Sequence, residues 1–249
     1  MLKKQQGLVE WLEFELLAAY PNISHGVFLR KGGTSMPPYH SLNLSPYVGD
    51  NPQHVIQNQE IVRNVIGATR LFLKQCHGTT LYEYIGDSLL EGGEGDGLMT
   101  RIPGIGLTIF HADCQAAIFY DPVRHVVANI HAGWRGMVQN IYARAIREMN
   151  ERYQSKAQDL LVCISPSLEP TYAEFCNYTK EFPPQFHAFQ TTSNHFDLWE
   201  VSKQQLIACG ILEEHVEIAR IGTYGSPEDF YSYRREAITG RNATVVAIL

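Results

Sequence analysis

The sequence predicts a mixed α/β fold in a single domain that spans residues 1–249. Short apolar runs rich in β-branched and aromatic residues alternate with segments whose apolar residues recur at helical spacing. No internal repeat, low-complexity tract or linker-like stretch divides the chain. Apolar residues make up 45% of the 249 positions, so the chain is able to bury a sizeable core.

The predicted strands are short apolar runs bounded by turn-forming residues. Glycines at 32–33 and prolines at 37–38 follow the most N-terminal run, and three further runs come in close succession between residues 105 and 130. In chain order the predicted strands are His25–Arg30, Leu71–Lys74, Ile105–Phe110, Ala116–Tyr120, Val126–Ile130, Leu160–Ile164, Val216–Ala219 and Val245–Leu249.

Three helices are predicted from capping residues and apolar periodicity. The first has Asn51 as its N-cap, Pro52 at its first position and Gly67 at its end. The second extends over residues 137–149, where apolar residues repeat at helical spacing after the third central strand. The third has Asp197 as its N-cap and extends through Ala208, with Gly210 as its end signal.

Charge and composition exclude several classes of protein. The formal net charge of −6 and pI near 5.9 argue against a nucleic-acid-binding protein, which usually carries a basic face. No segment approaches the roughly 20 apolar residues of a membrane-spanning helix, and the first residues do not resemble a secretory signal. Five dispersed cysteines, an odd number, suit a reducing compartment. We therefore expect a cytoplasmic protein that binds neither nucleic acid nor membrane.

Metal-capable side chains follow three of the predicted strands. His77 follows Leu71–Lys74, Cys114 follows the run that ends at Phe110, and His131 directly follows Ile130. If these strands are neighbours, the three side chains lie together at one edge of a sheet. Cys and His are preferred zinc ligands, and three protein ligands with an open fourth position are typical of catalytic zinc. In the alternative interpretation, Cys114 is a small buried residue and both histidines are structural.

Two glycines flank an aromatic residue and an arginine just after the third candidate ligand. Gly133 and Gly136 permit close approach of the backbone to a ligand, and the segment opens a predicted helix, whose N–H groups attract anions. Arg135 is therefore a catalytic candidate that is able to hold phosphate through its two-pronged guanidinium. The alternatives are a tight turn with Trp134 packed inside, and an arginine paired with a carboxylate.

Segments throughout the chain together resemble the YfiH-type family, the laccase-domain proteins once called polyphenol or multicopper oxidases and now regarded as purine nucleoside phosphorylases. The strongest match is His131–Gly136 with Ala112-Asp113-Cys114 upstream of it. The other matching segments are Arg30, Gly32-Gly33, Ser41–Leu44, Val48–Asp50, Gln75, His77-Gly78, Asp96, Thr100, Ser232–Arg235 and Gly240-Arg241. Cys76 and His111 depart from the family pattern, which usually has an aliphatic residue and a threonine there.

The resemblance implies a fold, a metal site and an activity. The fold is a sandwich of two mixed β-sheets flanked by helices, and the metal ligands are His77, Cys114 and His131, with zinc favoured over copper. None of the ten histidines forms the H-x-H pairs that multicopper chemistry needs. The implied activity is phosphorolysis of adenosine, inosine, guanosine and methylthioadenosine, with adenosine deamination as a second activity. A bacterial branch of the family is linked instead to removal of misincorporated amino acids from peptidoglycan precursors.

The predicted partners are a purine nucleoside and phosphate, bound by a monomer or small homo-oligomer. Asn43, Gln75, Asp113 and Trp134 are the predicted substrate-binding residues, and the metal ligands and Arg135 are the catalytic ones. Two rival hypotheses remain open. One is a hydrolase, either metal-dependent or with Cys114 as the nucleophile and a histidine as its base, acting on amides such as peptidoglycan precursors. The other is a non-catalytic small-molecule binding module.

Overall fold

Two six-stranded β-sheets pack against each other in the structure, a computed structural model that describes residues 1–86 and 93–249. In sheet order, the first sheet consists of β1 (Leu2–Gln6), β2 (Val9–Glu13), β3 (Ile23–Phe28), β14 (Asn242–Ile248), β7 (Ile105–His111) and β4 (Thr69–Leu71). The second consists of β13 (Val216–Ile218), β10 (Leu161–Ile164), β8 (Gln115–Asp121), β9 (Val126–Ala132), β6 (Gly97–Thr100) and β5 (Leu81–Glu83). Both sheets are mixed, because their edge pairs β4–β7, β10–β13 and β5–β6 are parallel whereas the other pairs are antiparallel.

Helices flank the two sheets. They are α1 (Glu15–Ala18), α2 (Pro52–Ile66), α3 (Trp134–Val138), α4 (Ile141–Tyr153), α5 (Tyr178–Glu181) and α6 (Leu198–Ala208), and a short hairpin of β11 (Gln190–Thr192) and β12 (His195–Phe196) precedes α6. The helix α2 packs on the first sheet, where Val62 joins Val245 in one apolar cluster. The helices α4 and α6 pack on the second sheet through residues such as Ala145 and Leu206. The predicted mixed α/β sandwich with flanking helices is confirmed.

The space between the sheets is mainly apolar. Leu107 and Val246 of the first sheet share a cluster with Leu98 and Ile118 of the second. Because alternate residues of a strand point to opposite faces, Val246 faces this interior while its neighbour Val245 faces α2. One buried amide also ties the sheets together, since Asn129 Nδ2 donates to the carbonyl oxygens of Leu107 (2.9 Å) and Thr244 (2.8 Å).

Capping chemistry sets the ends of α2 and α6 as the sequence predicts. The Asn51 side chain accepts a hydrogen bond from the Gln53 N–H at 2.9 Å, and Gly67 ends α2 in the left-handed conformation at φ 74°. The Asp197 carboxylate accepts from the Glu200 N–H at 3.0 Å at the start of α6. Among the described residues, no helix has the length and apolar content needed to cross a membrane.

Several elements differ from the sequence prediction, and β5, β6, α1, α5 and the β11–β12 hairpin were not predicted. The predicted helix over residues 137–149 is two helices, because Asn140 has a left-handed φ of 53° and its side chain accepts from the Ala143 N–H as the cap of α4. The predicted strand Leu71–Lys74 ends at Leu71, and Lys74 makes only an isolated bridge to Glu94. The hairpin β1–β2 was not predicted, because every residue of β1 is exposed and so lacks an alternating apolar pattern.

Candidate metal centre

The three predicted metal ligands lie together at one end of the space between the sheets. One ligand atom from each of His77, Cys114 and His131 lies within 4.8 Å of the other two. The Cys114 Sγ and His77 Nε2 atoms are 3.9 Å apart, and the two imidazole rings meet nearly edge to face at 4.8 Å between centroids. It is the one group of three or more metal-capable side chains found in the described residues.

Both sheets contribute to this centre, so the prediction of a single sheet edge is wrong. His131 belongs to β9 of the second sheet, whereas β4 and β7, which precede His77 and Cys114, belong to the first. Cys114 is in the short connection that leaves β7 and enters β8 in the other sheet. The chain therefore crosses from one sheet to the other at the metal centre, and the crossing brings the three ligands together.

Asp96 holds two of the three ligands in place. The carboxylate precedes β6 and is fully buried, and its Oδ1 accepts from His131 Nδ1 at 2.8 Å and from the His77 N–H at 2.9 Å. The Gly78 N–H (2.6 Å) and the Cys76 thiol (3.1 Å) donate to Oδ2. Burial opposes ionisation of Asp96, but these hydrogen bonds and the His131 charge outweigh it and hold the pKa at about 2. A proton on His131 Nδ1 leaves the Nε2 lone pair for a metal ion.

The electrostatics of the centre favour a thiolate on Cys114. Burial by itself raises the pKa of this thiol, but hydrogen bonds and positive charge from His131 and His77 outweigh burial and lower the pKa below its usual value. Burial likewise lowers the pKa of His131, but Asp96 and Cys114 raise it more. A thiolate is the form of cysteine that binds metal, so the donor set is prepared for a divalent cation.

Gly133 leaves the room that a metal ion and its ligands need. A Cβ atom at this position would lie 2.7 Å from His77 Cδ2 and 3.3 Å from Cys114 Sγ. Tetrahedral zinc with bonds of about 2.0 to 2.3 Å separates its ligand atoms by about 3.3 to 3.8 Å, so the observed spacing needs only small side-chain movements. His77, at a strained left-handed φ of 61°, is placed by the backbone for this contact. The residues present therefore fit a three-ligand metal site.

Two cavities meet at His77 and Cys114, and His131 lines the second of them. The first, which we call the aromatic cavity, has a volume of about 420 Å³, and its lining includes Trp134, Phe175, Leu168, Leu198, Arg135, Arg234, Asp113, Glu174 and Glu181. The second, which we call the cationic cavity, has a volume of about 480 Å³, and its lining includes Lys74, Arg241, His111, Ser45, Tyr47 and Gln75. His77, Ala112, Cys114 and Tyr233 line both cavities. A ligand that extends from one cavity into the other would pass the metal centre.

Arg135 and Trp134 form part of the wall of the aromatic cavity. The exposed Arg135 guanidinium lies over the Trp134 ring, 4.1 Å from its centroid. In the described residues Arg135 makes no ion pair with a carboxylate, which disagrees with the structural alternative that the sequence left open. Trp134 packs edge-on against Phe175 and Phe182, and α3 begins at Trp134.

The other predicted substrate-binding residues make structural hydrogen bonds. Gln75 lines the cationic cavity, but its side-chain amide is bonded to both the N–H and the carbonyl of Phe110 at 2.8 and 2.7 Å. Asp113 accepts from the Thr223 hydroxyl (2.7 Å) and from the Arg234 N–H (2.6 Å) at the wall of the aromatic cavity.

Asn43 is fully buried and lines neither cavity. Its Nδ2 donates to Asp50 Oδ2 at 2.9 Å, and its Oδ1 accepts from the Arg241 N–H at 2.9 Å. A direct contact between Asn43 and a ligand would require this network to open. The position of Asn43 instead connects it to the cationic cavity through Arg241.

Four residues at the site were not predicted from the sequence to be catalytic, metal-binding or substrate-binding, although all four lie in segments that resemble the family. They are Asp96, Tyr233, Arg234 and Arg241. The signal for Asp96 is a carboxylate directly before the buried strand β6, since a buried charge requires hydrogen-bonding partners. The signal for Arg234 and Arg241 is weaker, because surface arginines are common and only the folded chain brings residues 233–241 beside residues 111–114.

Comparison with known proteins agrees with this fold. The chain is 35% identical over 248 residues to the purine nucleoside phosphorylase of Bacteroides thetaiotaomicron, with 91% of this chain and 92% of that protein covered. It is 28% identical to the purine nucleoside phosphorylase YfiH of Escherichia coli over 88% of this chain and 91% of that protein. The crystal structure of YfiH from Bacillus licheniformis matches with a TM-score of 0.89 and 27% identity, and 99% of each chain is covered.

Fold and site together define an α/β sandwich with a three-ligand centre between two cavities. Residues 24–249 match the family described as multi-copper polyphenol oxidoreductase laccase, so the chain belongs to that family, in the YfiH group. The described residues contain a single three-ligand cluster, which does not provide the several copper sites that the family description implies.

Proposed function

We propose that this protein is a cytoplasmic, zinc-dependent purine nucleoside phosphorylase that acts on adenosine, inosine, guanosine or methylthioadenosine. The observation that carries the proposal is the position of the His77–Cys114–His131 cluster at the junction of an aromatic and a cationic cavity. A nucleoside phosphorylase needs a place for a flat base, a place for an anion, and a reacting centre between them. Both relatives described above are named purine nucleoside phosphorylases, which supports the same activity.

Zinc fits the donor set better than magnesium. Two imidazoles and one thiolate are ligands that zinc prefers, whereas magnesium prefers oxygen ligands. Zinc, when bound, would supply a Lewis acid that polarises an oxygen atom and stabilises negative charge in the transition state. Asp96 would support the site by fixing the orientation of His131 and the backbone conformation at His77.

The aromatic cavity suits the purine base. Trp134 and Phe175 offer ring faces or edges for stacking, and Leu168 and Leu198 add apolar surface. Glu174 and Glu181 also line this cavity and would accept hydrogen bonds from base N–H groups. As the sequence predicts, we propose that Trp134 and Asp113 contact the substrate. Asp113 also fixes the loop at Arg234, because its carboxylate accepts a hydrogen bond from the Arg234 N–H.

Phosphorolysis replaces one bond at the sugar carbon by another. A phosphate oxygen attacks C1′ and forms a C–O bond, while the bond from C1′ to the base nitrogen breaks and its electron pair stays on the base. The base takes up a proton from solvent, so the products are ribose 1-phosphate and the free base. The protein residues would align phosphate, sugar and base for this displacement, which is the positioning contribution of an enzyme.

Two further activities are open to the same residues. Adenosine deamination would follow if water reacts at the base instead of phosphate at the sugar: a C–O bond forms at the carbon that bears the amino group, its C–N bond breaks, and inosine and ammonia are released. A cysteine hydrolase is the second candidate, and it is favoured by the lowered pKa of Cys114 beside His131. That mechanism requires no metal, so chelation would leave its activity intact.

The test is product analysis with adenosine, inosine and methylthioadenosine, with and without phosphate. We expect free base to appear only with phosphate, and metal removal to abolish its release. Cys114→Ser should lose both metal and activity. Turnover that persists in fully metal-free protein would favour the cysteine hydrolase, and a zinc-loaded protein inert toward all three nucleosides would contradict the proposal.

A further inference from the structure

We propose that the phosphate co-substrate binds in the cationic cavity on the guanidinium of Arg241, and not on Arg135 in the aromatic cavity. The inference rests on the proposed phosphorylase function and names its anion subsite. It starts from the fact that the two cavities share the metal ligands His77 and Cys114, so an anion in either cavity would reach the reacting centre.

The two cavities differ in the charge of their lining, and this difference favours an anion in the cationic cavity and a neutral base in the aromatic cavity. Asp113, Glu174 and Glu181 line the aromatic cavity, whereas no described residue that lines the cationic cavity is an aspartate or glutamate. The three carboxylates outnumber Arg135 and Arg234 in the aromatic cavity, so its lining disfavours a phosphate that carries one to two negative charges. The cationic cavity offers Lys74 and Arg241, and apart from the metal ligand Cys114 its described lining has no acidic side chain to oppose them.

Of these two cations, Arg241 is the one whose charge is not already balanced. The Lys74 ammonium forms an ion pair with Glu94 at 2.7 Å, and both side chains are more than half exposed. No carboxylate of residues 1–86 and 93–249 forms an ion pair with Arg241. Burial lowers the pKa of Arg241, and a bound anion would offset that loss of solvation.

The Arg241 side chain is also fixed in position. Its Nη1 donates to the carbonyl oxygens of Thr239 and Gly240, both at 3.0 Å, and its backbone N–H donates to the buried Asn43. These bonds hold one edge of the guanidinium, and the Nε and Nη2 groups make no hydrogen bond to the described residues. A fixed guanidinium with a free edge is suited to two-point recognition of phosphate.

Arg135 likewise forms no ion pair with a described carboxylate, but its side chain is not fixed in position. It is exposed, and its guanidinium stacks on Trp134 at 4.1 Å without a hydrogen bond that fixes it among the described residues. In our interpretation Arg135 contributes to the wall of the base site, so replacing it changes nucleoside binding and leaves phosphate binding unaltered. Asn43 becomes a positioning residue, because it holds the Arg241 backbone and does not touch the ligand.

The experiment measures binding of inorganic phosphate to the zinc-loaded protein by isothermal titration calorimetry, for wild type, Arg241→Lys, Arg241→Gln, Arg135→Lys and Arg124→Lys. Arg124 is exposed in the turn between β8 and β9, at the end of these strands opposite to the cavity-lining Gln115 and His131, so its variant controls for loss of one guanidinium. We expect both Arg241 variants to bind phosphate about tenfold or more weakly, the effect of losing one charge-assisted hydrogen bond. The other two should stay within about twofold of wild type. Zinc content and unfolding temperature are measured for each protein. If Arg241→Lys is unstable, Arg241→Gln serves instead, because its side-chain amide is able to donate to the carbonyl oxygens of Thr239 and Gly240.

The same variants are then assayed for phosphate-dependent release of base from adenosine. An increase in the phosphate KM with an unchanged adenosine KM in Arg241→Lys supports the subsite. Phosphate affinity lost in Arg135→Lys and kept in Arg241→Lys would overturn it while leaving the phosphorylase function intact. Phosphate binding that depends on Arg241 in a protein that releases no base would support the anion subsite and refute the proposed function. A wild type that neither binds nor requires phosphate would overturn both.

Discussion

Replacement of Gly133 by alanine should separate metal binding from folding. An added Cβ would lie 2.7 Å from His77 Cδ2, and ordinary contact begins near 3.4 Å, so the imidazole must move by about 0.7 Å. Coordination distances tolerate only about 0.2 Å, so the zinc affinity should fall by about 10 to 100-fold or more. The Gly133 backbone, at φ −75° and ψ 165°, is open to alanine, so the metal-free protein should change in stability by less than about 1 kcal/mol.

Competition with a chromophoric zinc chelator gives the affinity, and urea unfolding of the metal-free proteins gives the stability. Gly78→Ala is the matched control, because its added Cβ would meet Asp96 at 3.6 Å and Cys76 at 3.7 Å, which are ordinary contacts. We expect Gly78→Ala to keep the wild-type zinc affinity. Equal zinc affinity in Gly133→Ala and wild type would refute the assignment of the ion to the space beside Gly133.

Three further predictions concern the residues around the metal. The folded-state pKa of Asp96 near 2 is below its usual 3.8, so Asp96 contributes about 2 kcal/mol of stability above pH 4 that is lost as the pH falls toward 2. Asp96→Asn should lower the free energy of unfolding at pH 7 by about 2 kcal/mol and weaken the pH dependence of stability between pH 4 and 2. Identical urea midpoints for wild type and Asp96→Asn across this pH range would contradict this prediction. Gln75→Ala removes two hydrogen bonds to Phe110 and should cost about 1 to 3 kcal/mol in urea unfolding, with a null result below about 0.5 kcal/mol counting against a structural role. Trp134→Ala should raise the adenosine KM about tenfold while zinc content stays near one per chain, and an unchanged KM would remove Trp134 from the base site.

The sequence predicted the parts of the fold that depend on local chemistry. The caps of α2 at Asn51 and Gly67 are confirmed because a capping side chain and a left-handed glycine act within a few residues. The break at Asn140 was missed, since its left-handed conformation interrupts an apolar period that continues on both sides. The strands that pair with β14 could not be predicted from the sequence, for a different reason. This C-terminal strand pairs with β3 and β7, and register over such separations is set by packing and not by local propensity.

Strand-end chemistry and family resemblance pointed to His77, Cys114 and His131, and the structure brings these side chains together. The supporting residues could not be assigned in the same way. Asp96 reaches His131 because β6 pairs with β9, which only the folded sheet establishes. Asn43 was chosen for its amide, but a sequence cannot distinguish an amide that meets a ligand from one that is buried in a structural network.

We propose that phosphorolysis requires a zinc ion held by His77, Cys114 and His131. Base release from adenosine with phosphate tests this requirement when it is measured beside elemental analysis on the same samples of wild type, chelated wild type and zinc-reconstituted wild type. We expect about one zinc per chain, loss of base release on chelation, and recovery in proportion to the zinc restored. Full base release from wild type that contains no transition metal would contradict it.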